Sequence, residues 1–164
     1  MLERDGQLEV SDIRSGRKAS LIGSLGLLKL DQKRRLTLPA KWRDKHGHPS
    51  YVYVAENEFE RCLDVFVPVL IEERMEAHLC REGMTRAEQA EAKRRISMTF
   101  QPVDVDAQGR IRIGDGLLAY AGLAEQASAN AVGDRMELWK PEAGGEERAP
   151  AAEAKTSAHD MLRL

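Results

Sequence analysis

The chain has 164 residues, of which 42% are hydrophobic and 32% are charged, and its formal net charge at pH 7 is −2. This composition is typical of a globular domain and excludes a uniformly cationic chain, so any surface for a polyanion must be local. No apolar run approaches the roughly 18 residues of a membrane span, and the first residues lack a signal-peptide core. Cys62 and Cys80 are too few for a disulfide framework. We therefore expect a cytoplasmic protein in which both cysteines are buried, small apolar residues.

The first part of the chain predicts a flexible start followed by a strand-rich unit. Residues 1–21 are polar, mixed in charge and without periodicity, and are predicted to be a flexible extension. Residues 21–38 alternate and predict strands. Pro39 then opens one or two helical turns that Gly47 can end. Residues 50–68 predict a strand, a turn and a second strand.

The pattern changes twice in the rest of the chain. Residues 69–98 have a helical period with a break at Gly83, and "TRAE" after the break has the Thr and Glu of a capping box, which predicts a second helix. Strand character returns at Met98 and continues through "RIRI" to "DRMELWKP". Residues 142–164 are rich in Ala, Gly and Glu, and are predicted to be a disordered tail.

The chain contains an internal repeat. When "LDQKRRLTLP" is placed over "VDAQGRIRIG", 75 residues later, Asp31 falls on Asp106 and Arg35 on Arg110. Each copy leads into a short helical segment and then into strands. This predicts an α+β fold in which two repeats pair about a pseudo-twofold axis into one β-rich core. The repeats are residues 22–68 and 99–141, and the helical pair of residues 69–98 connects them.

The repeated motif has the chemistry of a turn that presents an arginine. The aspartate can accept hydrogen bonds from backbone amides of the turn, and glycine at the fourth place permits a positive φ. The following arginine can make two parallel hydrogen bonds to guanine O6 and N7, and neighbouring cations suit phosphate. We therefore predict contact with double-stranded DNA. The predicted contact residues are Lys33, Arg34, Arg35, Lys41, Arg43 and Arg110, and the predicted turn residues are Asp31, Asp106 and Gly109.

The two copies of the motif differ in charge. Residues 29–45 contain seven basic and two acidic residues, whereas residues 104–115 contain two basic and three acidic residues. We therefore expect the first repeat to carry the DNA contact and the second to contribute more to the core and to a subunit interface. The alternative for the cations of the first repeat is a solvated strand edge, and the alternative for Arg110 is an ion pair with Asp106.

Two further motifs, "YAGL" at residues 120–123 and "ELW" at residues 137–139, accompany the second copy. Together with the duplicated pattern D-x-x-G-R-aliphatic-x-aliphatic-P, they resemble the MraZ family, bacterial transcription regulators of the AbrB-like swapped-hairpin group. The resemblance covers about residues 22–141. It implies two AbrB-like swapped-hairpin repeats and a ring-shaped homo-oligomer. It also implies binding, at the nucleoid, to short G-rich repeats upstream of the division and cell-wall gene cluster.

Three positions depart from that family's pattern. Arg34 stands where glycine is usual, so we predict either backbone strain or a changed turn type if the position needs a positive φ. In the second repeat Gly114 stands in place of a proline and Leu118 in place of an arginine, whereas the first repeat keeps both as Pro39 and Arg43. These departures predict a smaller DNA contribution from the second repeat.

Two other functions are considered. An AbrB-like antitoxin would bind its operator and fold a C-terminal tail onto a toxin, but the duplicated motif and the few large apolar residues of the tail count against it. An enzyme is not indicated, because the sequence has no glycine-rich phosphate loop and no paired catalytic acids in context. His46 and His48 are predicted to lie in a surface loop rather than to bind a metal. We expect no cofactor, no metal and no small-molecule substrate.

Overall fold

The computed structural model describes residues 21–141 and 157–164, and this part of the chain contains eight strands and five helices. The strands are β1 (Leu21–Lys29), β2 (Arg35–Thr37), β3 (Tyr51–Glu56), β4 (Leu63–Phe66), β5 (Gln101–Asp104), β6 (Arg110–Arg112), β7 (Gln126–Gly133) and β8 (Met136–Trp139). The helices are α1 (Ala40–Lys45), α2 (Pro68–Leu79), α3 (Arg86–Thr99), α4 (Asp115–Ala121) and α5 (Ala158–Leu162). None of the described helices is long and apolar enough to span a membrane. Of the predicted extension, residues 1–20 lie outside the described residues, and Leu21 begins β1.

Six strands form one antiparallel sheet in the order β1-β7-β8-β4-β3-β5, and β2 and β6 form a separate two-stranded ribbon. The predicted α+β class is confirmed. The order strand, strand, helix, strand, strand occurs on both sides of the α2–α3 pair. Pairing crosses between these two sets, because β1 pairs with β7, β5 with β3, β2 with β6 and β4 with β8. Within the described residues, neither set completes a sheet without the other.

The main hydrophobic core is formed by the ribbon and the large sheet together. Leu36 of β2 and Ile111 of β6 are cross-strand partners, and both are buried. Trp42 of α1 and Leu118 of α4 belong to the same buried cluster. Burial of each of these large side chains stabilises the fold by about 1.5–3 kcal/mol. The core therefore fixes the position of the ribbon on the sheet.

The segment "YAGL" attaches α4 to the turn between β3 and β4. The Tyr120 hydroxyl donates to the Asn57 carbonyl oxygen at 2.7 Å, and the Arg61 guanidinium lies 4.7 Å from the centre of the tyrosine ring. Gly122 ends α4 with a φ of 67°, a left-handed conformation that glycine adopts without strain. Leu123 is then buried in the main core. Ala121 is also buried in the main core, so each residue of this motif has a contact or a conformation that explains it.

The predicted helices α2 and α3 are present, with two corrections. Thr85 begins α3 with the predicted capping box, its hydroxyl accepting from the Glu88 N–H at 3.1 Å. The prediction of a buried Cys80 is wrong: this residue follows the last helical residue of α2, and it is exposed. The predicted strand start at Met98 is also wrong. Met98 still belongs to α3, which continues to Thr99 and ends where the Phe100 N–H donates to the Ile96 carbonyl oxygen at 2.9 Å, and β5 follows it.

The end of the chain contains a helix where the sequence predicts disorder. Residues 142–156 of the predicted tail lie outside the described residues, but the prediction is wrong for residues 157–164. Ala158 and Leu162, one helical turn apart, are buried in a second cluster with side chains of α2, α3 and β4. The Arg74 guanidinium donates to the Leu162 carbonyl oxygen at 3.0 Å. The tail is polar on average, so its composition does not indicate the short apolar face formed by Ala158 and Leu162.

Candidate nucleic-acid interface

The two predicted turns have the same geometry. The Asp31 carboxylate accepts hydrogen bonds from the backbone N–H groups of Lys33 and Arg35 at 2.8 and 2.9 Å, and from Arg35 Nε at 2.8 Å. Asp106 accepts the equivalent three bonds in the second turn, the one from Arg110 Nε again at 2.8 Å. Each aspartate therefore closes its turn and holds the arginine that follows. The Arg110–Asp106 ion pair, which is the alternative to a DNA contact for Arg110, is present. Arg35 makes the equivalent ion pair with Asp31, so this pair does not distinguish the two arginines.

These hydrogen bonds hold the pKa of Asp31 and of Asp106 below the usual value of 3.8. The largest cause is the bond from the backbone N–H of the following arginine. Partial desolvation opposes it, and the arginine side chain adds to it. Because the pKa is lower in the folded state, the ionised carboxylates stabilise the turns above about pH 4. This contribution is lost as the pH falls through the lowered pKa values.

An NMR titration of the side-chain carboxyl groups is expected to give pKa values below 3.8 for both Asp31 and Asp106. In an Arg35→Ala protein, the pKa of Asp31 should rise only part of the way, because the backbone N–H bonds remain. Asp106 is the internal control and should keep its wild-type pKa. A full return of Asp31 to the usual value would show that the guanidinium, rather than the backbone, controls this carboxyl.

The fourth position of each turn has a positive φ, and the first repeat places an arginine there. Gly109 has a φ of 79°, and Arg34 at the equivalent place has a φ of 63°. The first turn thus keeps the conformation of the second, and of the two predicted alternatives it is backbone strain that applies. The Arg34 side chain reaches Asp115 at the start of α4, with 3.5 Å between Nε and Oδ1, and both side chains are exposed.

An Arg34→Gly protein is expected to be more stable than wild type by about 0.5–1 kcal/mol. The left-handed conformation costs a residue with a Cβ atom about 1–2 kcal/mol, and the greater entropy of glycine in the unfolded chain offsets part of this gain. Equilibrium unfolding in urea measures the difference. Arg34→Ala is the matched control, since it removes the same side chain but keeps the strain. If both variants had the same stability, the strain at Arg34 would be refuted.

The Arg43 side chain of the first repeat contacts both repeats. Its Nε donates to the Leu38 carbonyl oxygen at 3.0 Å, and its guanidinium covers Gly109 so closely that a Cβ atom at that position would collide with it. A side chain at position 109 would therefore have to displace the Arg43 guanidinium as well as adopt the positive φ. Leu118, which takes the place of this arginine in the second repeat, is buried in the main core. Arg43, predicted as a DNA contact, thus has a bracing role in the fold.

The β2–β6 ribbon brings arginines of both repeats to one face. Its register places Arg35 opposite Arg112 and Thr37 opposite Arg110, and the residue between them on each strand is buried. Because side chains alternate along a strand, the outer face of the ribbon carries three arginines and one threonine. We call these four side chains the ribbon face.

The ribbon face changes the contribution expected of the second repeat. Arg110 and Arg112 lie on the same face as Arg35, so the first repeat does not build this cationic surface by itself. Arg112 was not among the predicted contact residues. The alternation in "RIRI" is the signal that places it beside Arg110. Lys33 and Lys41 are exposed, and neither has an ion-pair partner among the described residues.

A separate polar cluster lies near the turn between β7 and β8. Ligand atoms of Cys62, Asp64 and Glu137 lie within 4.8 Å of one another. The Arg135 guanidinium is 3.3 Å from Asp64 and 3.5 Å from Glu137, and the Asn57 amide donates to Asp64 at 2.9 Å. Burial and the neighbouring carboxylates raise the pKa of the Cys62 thiol, which keeps it protonated. The cluster is therefore an ionic network in which Arg135 balances the carboxylates.

The fold and the ribbon face define a class of protein. It is an α+β protein with a cationic two-stranded ribbon, and a two-stranded ribbon is an element that fits the major groove of DNA.

No family model matches the chain. It is similar to proteins named "Transcriptional regulator MraZ". That of Leuconostoc citreum is 32% identical over 113 residues, 69% of this chain and 76% of the relative. That of Paenarthrobacter aurescens is 34% identical over 119 residues, 72% and 80% of the two chains. That of Symbiobacterium thermophilum is 30% identical over 133 residues, 81% and 94%. The chain belongs to the MraZ family of transcriptional regulators.

Proposed function

We propose that this chain is a transcriptional regulator that binds double-stranded DNA with the ribbon face. The proposed target is a set of tandem G-rich repeats in the promoter of the division and cell-wall gene cluster, and the proposed location is the bacterial cytoplasm, at the nucleoid. The target and the location rest on the family resemblance. The choice of surface rests on the geometry of the ribbon, in which a two-stranded element presents arginines to solvent.

The observation that carries the proposal is the way in which two aspartates hold Arg35 and Arg110. Each carboxylate accepts a bond from Nε, and no described residue bonds to the Nη atoms of either arginine. Two Nη groups on a planar guanidinium suit the acceptors O6 and N7 of guanine in the major groove. A side chain that is already held in place loses less conformational entropy on binding. These arginines are therefore suited to reading a base.

The strand pairing supports the proposed swapped-hairpin arrangement and an oligomer built on it. Each of β1 and β5 pairs with a strand of the other repeat. A single ribbon covers only a few base pairs, whereas several copies in a ring, facing tandem repeats, raise the overall affinity through effective concentration. Edge strand β1 exposes Ile22 and Leu27. Such apolar side chains on a sheet edge favour contact with another copy of the chain.

The antitoxin alternative receives less support from the structure. It requires a C-terminal tail that is available to fold onto a toxin. Helix α5 instead packs on the chain's own α2 and α3, and Arg74 donates to its last carbonyl groups. The relatives are named as transcriptional regulators.

Fluorescence anisotropy on two labelled duplexes tests the proposal. One duplex carries tandem G-rich repeats and the other carries the same bases scrambled, each at low and near-physiological salt. We expect tighter binding to the repeats that persists at the higher salt, because base contacts add to the salt-sensitive phosphate contacts. Equal affinities that disappear with salt would contradict sequence-specific reading. Lack of binding to either duplex would contradict DNA binding itself.

A further inference from the structure

The ribbon face is not symmetric. Thr37 and Arg112 occupy equivalent places in the two repeats, and both are exposed on the outer face. Thr37 shows that the fold does not need an arginine at this place. The packing of the ribbon therefore gives no reason for Arg112.

Arg112 also lies directly opposite Arg35 in the register of the ribbon. Opposed Cβ atoms in an antiparallel pair are about 4.5–5.5 Å apart, and like charges there are destabilising. Asp31 balances Arg35 through an ion pair of 2.8 Å. In the part of the chain that the structure describes, Arg112 has neither a hydrogen-bond partner nor an ion-pair partner. The Arg35–Arg112 pair therefore has two positive charges but only one neutralising carboxylate, that of Asp31. The pair lies on the solvent-exposed face of the ribbon.

We propose that Arg112 binds a backbone phosphate of the DNA, the one adjacent to the base that Arg35 reads. This inference rests on the proposed function and adds to it a residue and the group that it binds. A phosphate supplies the anion that the Arg35–Arg112 pair lacks, and a guanidinium can donate two parallel hydrogen bonds to its oxygens. Phosphate contacts fix register on the duplex, whereas base contacts carry the sequence. Arg112 would thus add affinity for the DNA backbone that does not depend on the base sequence.

The charge around this end of the ribbon supports the assignment. Lys33 and Arg34 lie in the turn that precedes Arg35, and both are exposed. Gln108 takes the place of Lys33 in the second turn. The first turn therefore has two cations that the second turn lacks; Asp115 pairs with Arg34, and Lys33 has no ion-pair partner among the described residues, so Lys33 can contact the DNA backbone.

An Arg112→Thr protein tests this inference, because threonine is the residue that the other repeat already has at this place. Its affinity for the G-rich and the scrambled duplex is expected to fall by the same factor, about tenfold for one charge-assisted hydrogen bond. The dependence of log K on log salt should become shallower by about one unit per bound subunit. Arg86→Thr is the matched control. It removes an exposed arginine of α3, outside the ribbon, and should change neither quantity.

A second measurement locates the phosphate. Single phosphates of the G-rich duplex are replaced one at a time by uncharged methylphosphonates, and both proteins are titrated with each duplex. Wild type is expected to lose affinity at a phosphate where the Arg112→Thr protein shows no further loss. At the other contacted phosphates, the two proteins should lose affinity equally.

The outcomes separate this inference from the proposed function. If Arg112→Thr keeps the affinity and salt dependence of wild type while Arg35→Ala loses specificity, the inference is overturned and the DNA function stands. A loss confined to the G-rich duplex would assign Arg112 to a base, which also overturns the inference. If wild type binds neither duplex, the proposed function fails, and the inference fails with it.

Discussion

Replacing Arg35 by alanine is expected to weaken binding to the G-rich repeats by about 1–3 kcal/mol per bound subunit and to reduce the preference over a scrambled duplex. The loss is large because the Asp31 carboxylate holds Arg35 through Nε, which leaves the Nη groups for a base. Fluorescence anisotropy on both duplexes measures the change. The affinity for the scrambled duplex should fall less, since only the charge contributes there.

Lys33→Ala is the control that separates base reading from charge. Lys33 is an exposed cation in the same turn, and the described residues give it no ion-pair partner. Its removal is expected to weaken both duplexes alike and to make the salt dependence shallower by about one unit. An Arg35→Ala protein that binds its best duplex as tightly as wild type would show that Arg35 does not read guanine.

The two turns could be predicted from the sequence because their determinants are local. An aspartate accepts from amide groups two and four residues later, so the motif itself contains the donor and the acceptor. The same holds for the capping box at Thr85, where the two partners are three residues apart. The departure at Arg34 left two alternatives for this one turn, and its φ of 63° shows that the turn keeps its conformation with backbone strain.

The composition of the ribbon face could not be predicted from either repeat by itself. The partner of Arg35 is Arg112, which is distant in the chain and is brought close by the pairing of β2 with β6. The segments of residues 29–45 and 104–115 differ in charge, but the pairing of β2 with β6 joins both repeats in one ribbon. Arg43 shows the same effect, since its guanidinium covers Gly109 of the other repeat. Contacts between segments that are distant in the chain depend on tertiary structure, and the motif contains no information about them.

The two burial errors have a different cause. Cys80 continues the apolar helical spacing of α2 in the sequence. Because α2 ends at Leu79, this spacing no longer places Cys80 on the buried face of the helix. In the tail, Ala158 and Leu162 are buried although the surrounding composition is polar. Element ends and short docked segments depend on what packs against them, which the sequence pattern does not contain.

Asp64→Ala is expected to destabilise the folded chain by about 1–3 kcal/mol, the cost of removing one partner from buried hydrogen bonds. Asp64 is only 1% exposed, and it accepts from the Asn57 amide at 2.9 Å and pairs with Arg135 at 3.3 Å. His159 of α5 also lies with Nε2 3.5 Å from the Asp64 carboxylate. Removing this carboxylate takes away the shortest hydrogen bond of the Asn57 amide and one of the carboxylate partners of Arg135, and it leaves Glu137 as their shared acceptor at 3.4 and 3.5 Å. Urea unfolding at neutral pH measures the change in the free energy of unfolding.

Asp134→Ala is the matched control, because Asp134 pairs with the same guanidinium at 3.3 Å but is much more exposed. An exposed pair contributes about 0–1 kcal/mol, so this variant should remain close to wild type. If the two variants lost equal stability, burial of Asp64 would not be the cause. If Asp64→Ala lost little, the ion pairs of Arg135 with Glu137 and Asp134 would be enough to balance its charge, and the prediction would be wrong. Comparing Asp64→Ala with Asp64→Asn distinguishes these cases, since the amide keeps the shape and one acceptor but cannot balance the guanidinium charge.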